Sequence, residues 1–441
     1  MDSTGRSKLK LSVVACLYVI IVLYSSVEQV SCGAERILTQ VRPRIVENHS
    51  RSKHDENPVQ KSVQRCPRRC LCYFNVAYCA SKQLTILPAK FPPGIKYLHL
   101  SKNKLKIIPR DKLGMYPSLN TIDLSDNFIS QDGVKRRSFA NLALLKRLHL
   151  NGNKFTHFPS SLPPSVVELK LDNNSISVIQ SESTQPLGNV TSMDLSRNKL
   201  TNAGIRNSAF LAFRSLVNLD LSFNKFESFP KDLSSSIEDI RLNNNRIKYV
   251  TTGVFRFPAK IHHLNMRGNK LKETSFSYQS WANMDKLIFL DLSENNLLFV
   301  PGVLPRSLSI LLLESNNIEN ILEWSFSSVP KITQIRLSFN NIRHIDPAAF
   351  ASLQNLQYLD LAHNQLLHYP SNMPINLQAV FVEFNAISNV HGDAFCPAYA
   401  QTTFQRSKLN MIVLIGNPVN RRSLFSAASY CLSSAEVLVF D

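Results

Sequence analysis

One eleven-residue phrase, repeated fourteen times between Ile95 and Val419, constrains this 441-residue chain more than any other feature. The phrase reads leucine-x-x-leucine-x-leucine-x-x-asparagine-x-leucine, with Ile, Val, Met or Phe allowed at the apolar slots. Leu216-Val-Asn-Leu-Asp-Leu-Ser-Phe-Asn224-Lys-Phe226 and Leu356-Gln-Tyr-Leu-Asp-Leu-Ala-His-Asn364-Gln-Leu366 are clear copies. The asparagines stand at 103, 127, 153, 174, 198, 224, 245, 269, 295, 316, 340, 364, 385 and 417. Their spacings run 24, 26 and 21 three times over, then 24, 24 and 21, and finally 32.

Leucines two apart point to one side of a strand, so leucine-x-leucine sends two side chains into a core and leaves the residue between them facing out. One such unit cannot bury its apolar side alone, and stacking along a parallel ladder makes the core continuous. The asparagine falls where the chain turns inward. Its amide can there pair backbone groups of its own and the adjacent coil that would otherwise be buried unpaired. Amphipathic helices are excluded by period, because leucines at 1, 4 and 6 do not make a helical stripe.

Lys8 and Lys10 precede an apolar run from Leu11 to Tyr24, too short to span a bilayer and suited to the core of a secretory signal. A cut near Cys32 would leave six of the eight cysteines, which in an oxidising compartment reads as three disulfides. Residues 33–65 lack periodicity and are mildly basic, which suits a linker or a polyanion-binding arm. Then Cys66-Pro-Arg-Arg-Cys70-Leu-Cys72 and Cys79 stand where the open end of a solenoid needs a cap. Secretion and the single-residue gap between Cys70 and Cys72 argue against zinc.

The cysteine spacing, the nested repeat and the stretched last interval resemble the small leucine-rich proteoglycan family, and the spacing is similar to that of its decorin and biglycan branch. The resemblance covers residues 66 to about 435. It implies an α/β leucine-rich-repeat solenoid with a curved parallel sheet on its concave face, an irregular, short-helical convex face and disulfide-stapled caps. It also implies the pairings Cys66 with Cys72, Cys70 with Cys79, and Cys396 with Cys431, the last clamping a lateral ear repeat. The expected organisation is a signal peptide over 1–32, a basic tail over 33–65, a cysteine-rich cap over 66–94, repeats over 95–387, and an ear repeat with terminal cap over 388–441. The family attaches glycosaminoglycan at Ser-Gly, and no Ser-Gly occurs in this chain. Sequons at Asn48, Asn173 and Asn189 permit asparagine-linked glycans.

The family's binding surface is the concave sheet. The outward residue between the paired leucines runs from His99, Asp123, His149 and Lys170 through Asp194, Asp220 and Arg241 to Arg336, Asp360, Phe381 and Val413. Acids and bases alternate in the middle, and the carboxy-terminal third turns apolar. Arg241 and Arg336, each in Ile-Arg-Leu, resemble the arginine of the family's collagen-binding coil, and with Asp220 they are the expected collagen or protein contacts. Lys96, Lys102, Lys104, Lys106, Arg110 and Lys112 crowd the first coil, a density suited to heparin-like chains. Lys plus Arg exceed Asp plus Glu by 18, in keeping with polyanionic partners.

No nucleophile elbow, zinc-protease helix or phosphate loop is present, so an enzyme is not expected, nor any cofactor or metal. The expectation is a secreted matrix protein that binds collagen fibrils or other matrix proteins. Sulfated glycosaminoglycans, growth factors and a second copy of the chain are further partners. Nucleic acid is excluded by secretion. The alternative is a soluble receptor-like or growth-factor-binding repeat protein.

Overall fold

Each copy of the phrase folds into one three-residue strand. A computed structural model describes residues 66–250, 259–281, 283–391, 394–395, 408–420, 422, 424 and 436–438. The signal, the tail with Asn48, and both Cys396 and Cys431 lie outside the described residues. The fourteen phrase strands run from Tyr97–His99 to Met411–Val413 and stack in parallel. The parallel sheet gains one strand at each end, Val76–Tyr78 and Glu436–Leu438. Leu71–Tyr73 then pairs antiparallel with Val76–Tyr78 and completes a 17-stranded sheet. This hairpin carries the disulfides Cys66–Cys72 and Cys70–Cys79, and so closes one edge that would otherwise offer unpaired amides.

Register follows the leucines. In adjacent coils Leu219 lies beside Ile240, so apolar residues stack on apolar residues while Asn218 and Asp220 face out beside Asp239 and Arg241. The central strand residues are buried throughout, and Phe155, Phe210, Phe213, Phe226, Phe229, Phe326 and Phe350 fill the space behind them.

The asparagines perform the pairing expected of them at all fourteen positions. Each side-chain Nδ2 donates to a carbonyl of the preceding coil. It also donates within its own coil, as Asn269 does to Met266 at 2.8 Å, while its Oδ1 accepts from the backbone N–H of Ile247 at 3.0 Å. The residue before each ladder asparagine takes a left-handed conformation, even bulky Phe223, Phe339 and Phe384 with φ of 53°, 56° and 52°. Such backbone is unfavourable alone and persists because the ladder fixes both sides of it.

Coil length sets the convex side. The three intervals of 26 residues each place a 3₁₀ turn at the same point: Gln131–Gly133, Asn202–Gly204 and Glu273–Ser275. The 21-residue intervals are proline-bearing or serine-rich and cross without a helix, as in Phe158-Pro-Ser-Ser-Leu-Pro-Pro and Phe229-Pro-Lys-Asp-Leu-Ser. Among the described residues up to Phe395, regular α-helix is one four-residue turn, Ser181–Thr184.

Candidate ligand-binding face

Three side chains per coil reach the outer face of the sheet: the first and last strand residues, and the residue two further on. The middle of these three is the residue between the paired leucines. The other two matter as much, because they supply Glu168, Asp239, Asp172 and Glu314.

The first third of the face spends its charge internally. Glu168 lies against three bases: it is hydrogen-bonded to His149 Nε2 at 3.1 Å and ion-paired with Arg147 Nε at 3.3 Å and Lys170 Nζ at 3.7 Å. Burial and the Lys170 charge hold the His149 imidazole below its ordinary pKa, so it stays neutral at physiological pH. Burial pushes the Asp123 carboxyl up, but hydrogen bonds from His99 and Ser125 overcome it and hold the group well below the usual carboxylate range.

The middle third is different. A cavity of about 280 Å³ opens on this face, lined by Lys170, Ser192, Asp194, Asn218, Asp220, Asp239 and Arg241 over the apolar floor of Leu169 and Met193. Asp194 and Asp220 sit side by side on neighbouring strands. Burial and the negative charge of Asp194 push Asp172 up to about 6. Burial likewise raises Asp220, with Asp194 adding to the shift, against two hydrogen bonds from Ser222. Among the described residues Arg241 forms one ion pair, with Asp239 at 3.6 Å, and its side chain is 39% exposed. The cavity thus brings together carboxylates that repel one another and a partly exposed cation, Arg241. Asp220 and Arg241, expected from sequence, lie together here.

Arg336 does not join them. It lies four strands further on, roughly 19 Å at the ordinary strand spacing. Its side chain is only 9% exposed, 3.6 Å from Glu314 and packed over the Tyr358 ring at 5.5 Å. With the Gln334 amide turned so that its oxygen faces the guanidinium, Gln334 accepts from Arg336 Nε at 2.7 Å and Nη2 at 3.1 Å. Burial raises Asp291, Glu314 and Asp360, and pushes Glu383 up to about 7. The apolar character expected for this third is present but covered, since Leu312, Phe381 and Val413 are all buried.

Lys96, Lys102, Lys104, Lys106 and Arg110 are exposed and Lys112 is half-buried. They encircle the first coil rather than converge: Lys96 precedes the strand, Lys102 occupies the turn, Lys104 and Lys106 follow it, and Arg110 and Lys112 lie on the far side. Asn173 is exposed in the turn before Asn174. Asn189 is exposed on the opposite approach to the sheet, with its Nδ2 donating to the Pro164 carbonyl at 2.9 Å. Among the described residues no cluster of His, Cys, Asp and Glu fits a metal ion, and no helix is long and apolar enough to cross a membrane.

Family models described as leucine rich repeat match residues 93–155, 164–226, 306–366 and 355–378. Lumican of Bos taurus is 32% identical over 286 residues, covering 63% of this chain and 82% of lumican. Keratocan of Bos taurus is 30% identical, covering 62% of this chain and 81% of keratocan. Podocan-like protein 1 of Homo sapiens is 30% identical over 61% of this chain, but the match spans only 52% of that relative and 44% of mouse podocan. Among solved structures, a chain of the octameric complex of Latrophilin 3, Unc5D and FLRT2 aligns with a TM-score of 0.53 at 22% identity, covering 85% of this chain and 93% of that one. That likeness concerns the fold alone.

Proposed function

We propose that this chain, which belongs to the small leucine-rich proteoglycan family, binds fibrillar collagen at the acid-lined cavity between the strands of Lys170 and Arg241. Members of the family are secreted, non-enzymatic proteins of the extracellular matrix, and this chain is one of them. The carrying observation is the neighbouring pair Asp194 and Asp220 in the cavity lining, with Asp172 close enough to feel the charge of both; a basic side chain of the ligand would relieve that repulsion. Lys170 and Arg241 flank the pair and suit the acidic side chains of an alternating-charge partner.

Two results are expected. In co-sedimentation with reconstituted collagen fibrils, Asp194→Asn with Asp220→Asn should weaken binding by about 1–3 kcal/mol, and Arg241→Ala by a similar amount. Unchanged binding of the folded variants would place the contact elsewhere. The second result is a pH dependence. Asp172 is pushed up to about 6, and a docked cation favours its charged form, so docking releases a proton. Affinity should therefore fall as pH drops from 7 to 5. Stability of the free protein moves the opposite way through this group, because the folded state holds the proton at higher pH than the unfolded chain does. Fibril affinity that is flat over this range would reject the role of these acids.

A further inference from the structure

The ladder asparagines also fix the residue that follows each of them. Its backbone N–H donates to the preceding coil: Lys154 to Ile129, Lys199 to Ile176, Lys225 to Leu200, Arg246 to Phe226 and Lys270 to Ile247, all at 2.8–2.9 Å. Residues 21–26 apart in sequence are thereby stacked in one column on the flank of the solenoid, outside the sheet face. Over the eight coils from Asn103 to Asn269 this column reads Lys104, Phe128, Lys154, Ser175, Lys199, Lys225, Arg246 and Lys270. All six bases are exposed, and none forms an ion pair among the described residues. Lys154 leans over the Phe128 ring at 6.0 Å, which continues the line across one of its two breaks. Beyond Lys270 the same position is Asn296, Asn317, Asn341, Gln365 and Ala386, without charge. The basic column is therefore bounded, with the last four coils unbroken.

We propose that this flank is a docking track for an extended sulfated glycosaminoglycan chain. At a strand-like step of roughly 5 Å per coil the eight positions span about 34 Å. Point charges at regular intervals along a line suit a linear polyanion, which gains from each neutralised charge by releasing counterions. A folded protein partner would call for an apolar centre. The next outward position on each coil strengthens the field with Lys106, Lys248 and Lys272, and weakens it once with Glu227, which pairs with Lys248 at 3.5 Å. The track stands apart from the collagen cavity, so either reading can fail without the other.

The test is elution of the full secreted protein from immobilised heparin over a salt gradient. Replacing Lys199, Lys225, Arg246 and Lys270 with serine should move elution to clearly lower salt. It should also flatten the dependence of log affinity on log salt by roughly 0.7 for each base removed. A control carrying Arg136→Ser, Lys231→Ser, Lys286→Ser and Lys331→Ser has the same net charge with the column intact, and should elute close to the parent. Chondroitin sulfate should compete, whereas unsulfated hyaluronan should not. Equal losses in the two variants would mean that diffuse net charge does the binding, and would overturn the proposal. So would loss confined to a Lys102→Ser, Lys104→Ser, Lys106→Ser variant, which would put the site on the first coil. Preferential elution by a DNA oligonucleotide over sulfated polysaccharide would also overturn it.

Discussion

Asn224→Ala should destabilise the protein by on the order of 3 kcal/mol, far beyond the ±0.5 kcal/mol ordinary for a surface change such as Lys225→Ala. Asn224 is buried and its amide makes four bonds. Nδ2 donates to Leu195, Leu221 and Ser222 carbonyls at 3.0, 3.1 and 3.1 Å, and Oδ1 accepts from Leu200 N–H at 2.9 Å. Alanine leaves these backbone groups facing a gap between two coils, where each unpaired group costs about 1–3 kcal/mol before relaxation. Chemical denaturation would give the total, and hydrogen exchange at the Leu200 amide would show whether the loss is local. Because each coil leans only on its neighbours, the damage should centre on the Asn198 and Asn224 coils. A midpoint unmoved by the substitution, with Leu200 still protected, would mean that water satisfies the ladder equally well.

The ladder could be read in advance because each copy is a local statement. A two-residue period decides which side is buried, and an asparagine at a fixed offset decides what the turn does with its backbone. The pairing of the cysteines at 66–79 came from the family resemblance rather than from their spacing, and the structure carries the bonds Cys66–Cys72 and Cys70–Cys79. Coil height was legible only in part: the interval lengths announced a nested repeat, but not that a 26-residue coil inserts a 3₁₀ turn where a 21-residue coil crosses without helix. Nor did a leucine template suggest left-handed backbone at Phe223, Phe339 and Phe384, since that conformation is imposed by the bonds on either side of it.

The binding face was harder, for a physical reason. Whether an outward charge is free depends on a side chain one coil away, 21–26 residues distant. Asp220 and Arg241 were visible as members of an alternating series, yet Asp172, which the cavity depends on electrostatically, lies past the end of its strand and was passed over. Counting basic residues along the sequence found the dense first coil. It could not find Lys199, Lys225, Arg246 and Lys270, which become neighbours only when the coils stack.

Arg336 shows the largest gap between the two views, and Arg336→Ala should destabilise the protein by about 3–5 kcal/mol, as removal of one partner from a buried ion pair generally does. In sequence it looks like Arg241, an arginine between Ile and Leu facing a ligand surface. In the fold it is buried among Glu314, Asp360 and Tyr358, and burial already raises each of these groups. Without the guanidinium, Glu314 loses its neutralising partner and its carboxyl rises further. The sign of the pH dependence follows. A folded-state pKa above the unfolded value penalises the fold at neutral pH, and the penalty fades as pH falls through the folded value. The gap between Arg336→Ala and the parent should therefore be widest at neutral pH and narrow toward pH 5. Arg336→Met combined with Glu314→Gln should recover much of the loss, since the uncompensated charge goes with the carboxylate. A gap constant with pH, and a double variant no better than the single one, would show that Arg336 acts through packing on Tyr358. A folded, fully stable Arg336→Ala that binds fibrils poorly would return it to the ligand surface.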